Sequence, residues 1–383
     1  MKILFFVSNL SYPPIEGAHA RTIELICYLN HMGHDVTLYG FLKKNTPFDM
    51  DLFRSDHPQV SFHEFIRYSG NYITQAVRGF FLKIDFPPSD IIHFEGFATI
   101  GCATSYRSRK ILSLIDPWAL RQKRKYKNEK RIFKRLIGWV GYIIAKLIEE
   151  KYLRTFNKVH LVSSADAIIL KEEYDLSNVQ TIPVSFDFEH LLPYKTTYTS
   201  SSKMKLVFWA DLNVNYLLEG LEWFIDNVFN EINNFGRFEL YILGRMHWDI
   251  LIERLPMIGN INNINVVSWL PDLNVFLSGM DIAVLPDPCG TGLKNRTIHS
   301  MALALPTIGS IHAFEGIPLS SLQSSVVCSN RDKYIRELTN LACDEDKRTF
   351  MGTSLRRIAL ENYSAQVVNL KWHSLYSEVR NIK

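Results

Sequence analysis

MKILFFVSNLSYPPIEGAHARTIELICYLNHMGHDVTLYGF, residues 1–41, decides the fold class. Ile3–Val7 is an unbroken apolar run, the pattern of a strand covered on both faces in a parallel sheet. Pro13, Pro14 and Gly17 then block regular structure, and from Ala18 onward Ile23, Ile26, Leu29 and Met32 recur at helical spacing up to a capping Gly33. Val36–Phe41 reads as a second strand, so the segment is a βαβ unit of the doubly wound kind.

Outward from this unit, Ile91–Phe94, Lys110–Ile115, Lys158–Val162 and Val179–Ile182 are strand candidates, enough for one Rossmann-like domain over 1–195. The polar stretch Lys195–Lys203 (KTTYTSSSK) reads as a linker. A second Rossmann-like domain over 196–363 restarts the pattern with strands at Lys205–Trp209, Glu239–Leu243, Asn265–Val267 and Asp281–Leu285 and a helix at Leu217–Phe229. Ala365–Val379 has helical apolar spacing, and 364–383 is expected to pack back on the first domain.

Two domains suit a chain of 383 residues, and 47% apolar with 21% charged residues excludes disorder or a collagen-like repeat. The five cysteines lie far apart without Cys-x-x-Cys spacing, so no disulfide framework or zinc knuckle is readable and a cytoplasmic location is expected. The run closest to a membrane span, Leu136–Ile148, has 13 residues interrupted by Lys146, short of the ~20 a bilayer needs. The opening apolar stretch is too short for the ~7–15 residues of a secretory signal.

Charge is concentrated in one place. Arg121–Arg135 holds nine cations against the single acid Glu129, a local +8 within a chain of net +4, which leaves −4 for the rest. It precedes a helix apolar on two sides, with one stripe through Ile132, Leu136, Val140, Ile143 and Leu147 and another through Phe133, Ile137, Ile144 and Ile148. Two readings stand: an interfacial segment that meets an anionic membrane surface, or a buried helix with a solvated cationic end. No nucleic-acid partner is expected, because base-stacking aromatics are not interleaved beyond Tyr126.

The richest block for chemistry is DIAVLPDPCGTGLKNRTIHSMALALPTIGS, Asp281–Ser310. A strand ends at Pro286, a loop with Gly290 and Gly292 carries Lys294 and Arg296, and a helix begins near Asn295, an arrangement of amides and cations that suits a pyrophosphate. In the first domain, alternation at the end of the strand IIHFEG sends His93 and Glu95 to one face, where ligands of open α/β sheets bind, and Asp116 ends the next strand. Asp-x-Asp occurs at Asp49–Asp51 and Asp344–Asp346; both are read as solvated, and no metal site is expected.

In these stretches, and in VHLVSSADAIIL (159–170), TIPVSFD (181–187) and LVFWADLNVN (206–215), the chain resembles the retaining nucleotide-sugar glycosyltransferases of glycosyltransferase family 4. The resemblance implies a GT-B fold, two Rossmann-like domains facing a cleft. It implies a nucleotide-sugar donor held mainly by the C-terminal domain, a glycan or lipid-linked acceptor held mainly by the N-terminal one, and no cofactor or obligatory metal. On this pattern Arg296 and Lys294 meet the donor diphosphate, Gly290, Gly292 and Gly17 lie near it, and Asn213 and the Trp269 strand end contact the donor. Thr291 and His299 stand where members commonly carry two Glu with seven residues between them, and His93 and Glu95 stand where they carry a His pair; Glu95 becomes the leading group for acceptor orientation. The expectation is a transferase of surface polysaccharide assembly, peripheral to the inner face of the membrane. A non-catalytic scaffold with a degenerate donor site and a nucleotide-sugar epimerase are the alternatives.

Overall fold

A computed structural model describes residues 1–15, 17–129, 131–186, 188, 191, 203–234, 236–244, 248–256, 258, 263–267, 270, 272–290 and 292–382. The chain divides into two compact units, Met1–Val184 with Val368–Lys383, and Ser185–Val367. The expected linker lies outside the described residues apart from Lys203.

In the first unit the strands are β1 (Lys2–Val7), β2 (Asp35–Lys43), β3 (Ser61–Phe62), β4 (Ile66–Tyr68), β5 (Ile91–Glu95), β6 (Lys110–Leu114), β7 (Lys158–Leu161) and β8 (Val179–Thr181). They form one parallel sheet in the order β3-β2-β1-β5-β6-β7-β8, with β4 also beside β2. Strand alternation sorts β1 into two cores: Ile3, Phe5 and Val7 face the helix Gly17–His31 and the last helix, while Leu4 and Phe6 pack on the other side with Ile92, Phe94, Ile100 and Ile148. The C-terminal helix Ala365–Arg380 returns as expected, burying Val368, Trp372, Leu375, Tyr376 and Val379 in the first of these cores.

The second unit is built from β9 (Met204–Ala210), β10 (Phe238–Gly244), β11 (Ile264–Val267), β12 (Ile282–Leu285) and β13 (Thr307–Gly309), all parallel in the order β11-β10-β9-β12-β13. The expected helix at Leu217–Phe229 is Asn215–Phe224, continued by a wider turn over Ile225–Phe229. β3, β4 and β13 escaped the sequence reading because two or three residues are too short to show periodicity. Each sheet reverses its strand order once, between β1 and β5 and between β9 and β12, and the crevice outside the carboxyl ends at such a reversal is where open α/β sheets hold ligands.

Candidate functional site

At the reversal of the second sheet, β12 runs into Pro286, Asp287, Pro288 and Cys289, and the helix Asn295–Ala302 follows. Gly290 and Gly292 sit at φ +148° and +69°, a backbone region that strains any residue with a Cβ. A Cβ on Gly290 would also lie 2.9 Å from Lys294 Cε, so its absence lets Lys294 fold over the loop, where Nζ donates to the Gly292 carbonyl at 2.8 Å and lies 3.9 Å from Glu315. Lys294 is the N-cap and gives no side-chain cap, so its own side chain does not compete for the first-turn amides that suit an anion.

Arg296 has an internal partner. Its guanidinium forms an ion pair with Asp287, a nearly inaccessible carboxylate, and donates to the Trp209 carbonyl at 3.1 Å. It thereby ties the end of β9 to the loop after β12 across the strand reversal. Asp287 Oδ2 has no hydrogen-bond partner among the described residues. Burial, then the charge of Asp287, raises the nearby Tyr216 phenol above its ordinary range. Asp287, Tyr216 and Glu315 were not singled out in the sequence; Asp287, one residue past the strand-ending Pro286, offered the only local signal.

His299 lies on the same helix, and its Nε2 is 2.6 Å from Asn274 Oδ1. An amide oxygen only accepts, so Nε2 carries the proton and Nδ1 keeps its lone pair. Burial lowers the imidazole below its ordinary value, which keeps it neutral at pH 7. Asn213 is exposed in the loop after β9, donating to Asp211 Oδ1 at 2.9 Å. Thr291 and Trp269 lie outside the described residues.

At the reversal of the first sheet, alternation does place His93 and Glu95 together, Nε2 to Oε2 3.7 Å. Glu95 Oε1 pairs with Arg21 from the helix Gly17–His31, while Oε2 has no hydrogen-bond partner among the described residues. Burial raises this carboxyl above its ordinary range, with Arg21 opposing. Gly17 starts that helix, and Asp116 is half-buried after β6.

His93 itself is wholly enclosed beneath the C-terminal helix, in a hydrogen-bonded chain whose direction follows from its fixed end. The Ile182 carbonyl can only accept, so His160 donates to it from Nε2 at 2.7 Å and accepts at Nδ1 from Ser113 at 2.9 Å. Ser113 Oγ then accepts from His93 Nε2 at 2.7 Å, and His93 Nδ1 accepts from the Tyr376 hydroxyl. Both imidazoles are therefore neutral, as their pKa values, driven well down by burial, require. This chain holds His93 against Glu95, whose side chain keeps 12% of its surface exposed while that of His93 keeps none.

Among the described residues no three His, Cys, Asp or Glu side chains gather in a metal-binding group. The first Asp of each Asp-x-Asp is a helix N-cap, Asp49 accepting from the Leu52 amide and Asp344 from that of Lys347.

Residues 203–344 match the family model of group 1 glycosyl transferases. The fold matches solved structures at low identity. A glycosyltransferase from Rickettsia africae ESF-5 gives a TM-score of 0.66 at 14% identity, over 100% of this chain and 99% of that one. Anabaena Alr3699/HepE in complex with UDP gives 0.64 at 11%, over 99% and 100%. The E. coli trehalose-6-phosphate protein bound with UDP-2-fluoro glucose gives 0.67 at 10%, over 100% of both chains. No curated protein matches by sequence. Two parallel sheets and these likenesses define a GT-B fold. Its second unit carries the group 1 glycosyl transferase domain.

Proposed function

We propose that the protein transfers a sugar from a nucleoside diphosphate donor to a glycan or lipid-linked acceptor with retention, without an obligatory metal, in surface polysaccharide assembly at the cytoplasmic face of a membrane. One observation carries the donor assignment: at the strand reversal of the second sheet, a two-glycine loop, Lys294 and a first turn without a side-chain cap converge at the start of the helix Asn295–Ala302. A leaving diphosphate needs its developing charge met by preorganised dipoles and cations, and this loop supplies both. Lys294 swings from the Gly292 carbonyl to the phosphate, the His299 Nδ1 lone pair accepts a ribose hydroxyl, and Arg296, held by Asp287, keeps the loop in shape. Glu95 orients the acceptor through its unpaired oxygen. Retention and the polysaccharide setting rest on the resemblance to glycosyltransferase family 4; UDP in complex with the Anabaena protein and UDP-2-fluoro glucose on the E. coli one support the donor class.

The non-catalytic reading is favoured by the commitment of Arg296 to Asp287 rather than to an open loop. A thermal-shift panel of nucleoside diphosphate sugars with a donor hydrolysis assay separates the two. Stabilisation by a donor together with its turnover is the expected result; stabilisation without any turnover, with or without acceptor extract, would overturn the enzymatic reading.

A further inference from the structure

The basic segment is divided between two packed helices, Trp118–Asn128 and Ile132–Tyr152. The second helix leans on the first and on its own unit through one side: a Cβ on Gly138 would lie 2.8 Å from Tyr126, and Ala145, Ile148 and Glu149 are buried. Glu149 fixes the base of the hairpin, accepting from the Trp118 amide at 2.6 Å and from the Tyr174 hydroxyl at 3.1 Å. The opposite side is apolar and bare. Ile132 is 86% exposed and Phe133 75%, and Leu136, Ile137, Trp139 and Val140 continue the stripe at 44–58%. Scattered apolar residues on a surface are ordinary, whereas a contiguous stripe of this kind marks a contact face.

The two expectations for this helix are therefore divided by face: one side packs inside the unit, and the other does not. Charge identifies what covers it. Arg121, Lys123, Arg124, Lys125 and Lys127 lie on the first helix and Lys134 and Arg135 on the second, with Glu129 as the one acid of the Arg121–Arg135 segment. A second copy would set like charge against like charge, whereas anionic headgroups complement the rim while acyl chains take the stripe. Trp139, at 47% exposure, has the amphipathic ring that settles at such an interface. No helix among the described residues is long and apolar enough to cross a membrane, so the mode is interfacial.

We propose that this hairpin seats Ile132, Phe133, Leu136, Ile137 and Val140 in the headgroup zone of an anionic bilayer, with the Arg121–Arg135 cations on the lipid phosphates. The inference deepens the membrane setting of the proposed function and rests on it. The full chain is sedimented with vesicles of phosphatidylcholine alone or with phosphatidylglycerol. Binding to the anionic vesicles only, weakening as salt rises, is expected. Ile132→Ser/Phe133→Ser/Leu136→Ser/Ile137→Ser should lose at least about tenfold in partitioning with an unchanged thermal midpoint. Lys123→Gln/Arg124→Gln/Lys125→Gln/Lys127→Gln should lose roughly a thousandfold, and it decides the matter should the serine variant fold poorly. A blue shift of tryptophan emission on adding anionic vesicles should vanish in Trp139→Phe. Equal binding to both vesicle types, unchanged binding in the glutamine variant, or a lipid-indifferent dimer that the serine variant abolishes would overturn the proposal. A chain that binds donor sugars but no vesicles loses this inference alone; one that binds vesicles but no donor keeps it and loses the donor site.

Discussion

The two strand reversals carry the same device in different settings. Each holds an arginine–carboxylate pair in which one carboxylate oxygen has no hydrogen-bond partner among the described residues: Arg21 with Glu95 in the first unit, Arg296 with Asp287 in the second. The Glu95 side chain keeps 12% of its surface exposed, while Asp287 keeps 1%. Both spare oxygens are enclosed, but the rest of the Glu95 carboxylate lies nearer the surface, whereas Asp287 is sealed beneath its loop and serves the shape of that loop. On the proposed function, the same pair of residue types is a binding group in one unit and a brace in the other.

Removing the arginines breaks this comparison most directly. Arg296→Ala strands a buried carboxylate and should cost about 3–5 kcal/mol of stability, whereas Arg21→Ala leaves the less enclosed Glu95, 12% exposed, and should cost less. Urea unfolding of the two variants checks the ranking, and an equal loss would show that both pairs are braces. Arg296 expected only as a phosphate cation would predict little loss of stability, so its pairing changes what an alanine there reports.

Acid and base sharpen the contrast, because the first unit buries Glu149, His93 and His160. Burial pushes the Glu149 carboxyl up to about 7 from an ordinary 4.5. Between those values the folded chain holds a proton that the unfolded chain has released, so this contribution is full below about pH 4.5 and is lost as pH rises through 7. His93 and His160 act in the opposite sense: the unfolded chain protonates them below their ordinary 6.5 and the fold does not, so stability is lost as pH falls. Comparing the protein with Glu149→Gln isolates the carboxyl. The protein should lose on the order of 2–3 kcal/mol relative to the variant between pH 5 and pH 7.5 in urea unfolding; parallel curves would place the Glu149 carboxyl at its ordinary value.

Both units were legible where periodicity is local. The strands β1, β2, β5, β9 and β12 and the return of the C-terminal helix follow from apolar runs that need no knowledge of the partner. The loop Gly290–Lys294 and the shared face of His93 and Glu95 were legible for the same reason, being set by turn chemistry and by strand alternation. Pairing was not. Arg21 meets Glu95 across 74 positions and Tyr376 meets His93 across 283, and neither spacing leaves a trace in composition or pattern. The hidden chain Tyr376–His93–Ser113–His160 is accordingly the part of the first site that sequence could not supply, and it turns His93 from a cleft residue into a support for Glu95.

The smallest effect is also the most direct test of the account, that the second unit holds the donor diphosphate at its strand reversal. Lys294 donates to its own loop carbonyl and lies 3.9 Å from Glu315, whose side chain keeps 30% of its surface exposed, so its loss should cost the fold little. Calorimetric titration of the full chain and of Lys294→Ala with UDP and UDP-glucose is decisive. Loss of one charge-assisted phosphate contact predicts about tenfold to a hundredfold weaker binding in the variant with an unchanged thermal midpoint. Binding of equal strength in both proteins would contradict it.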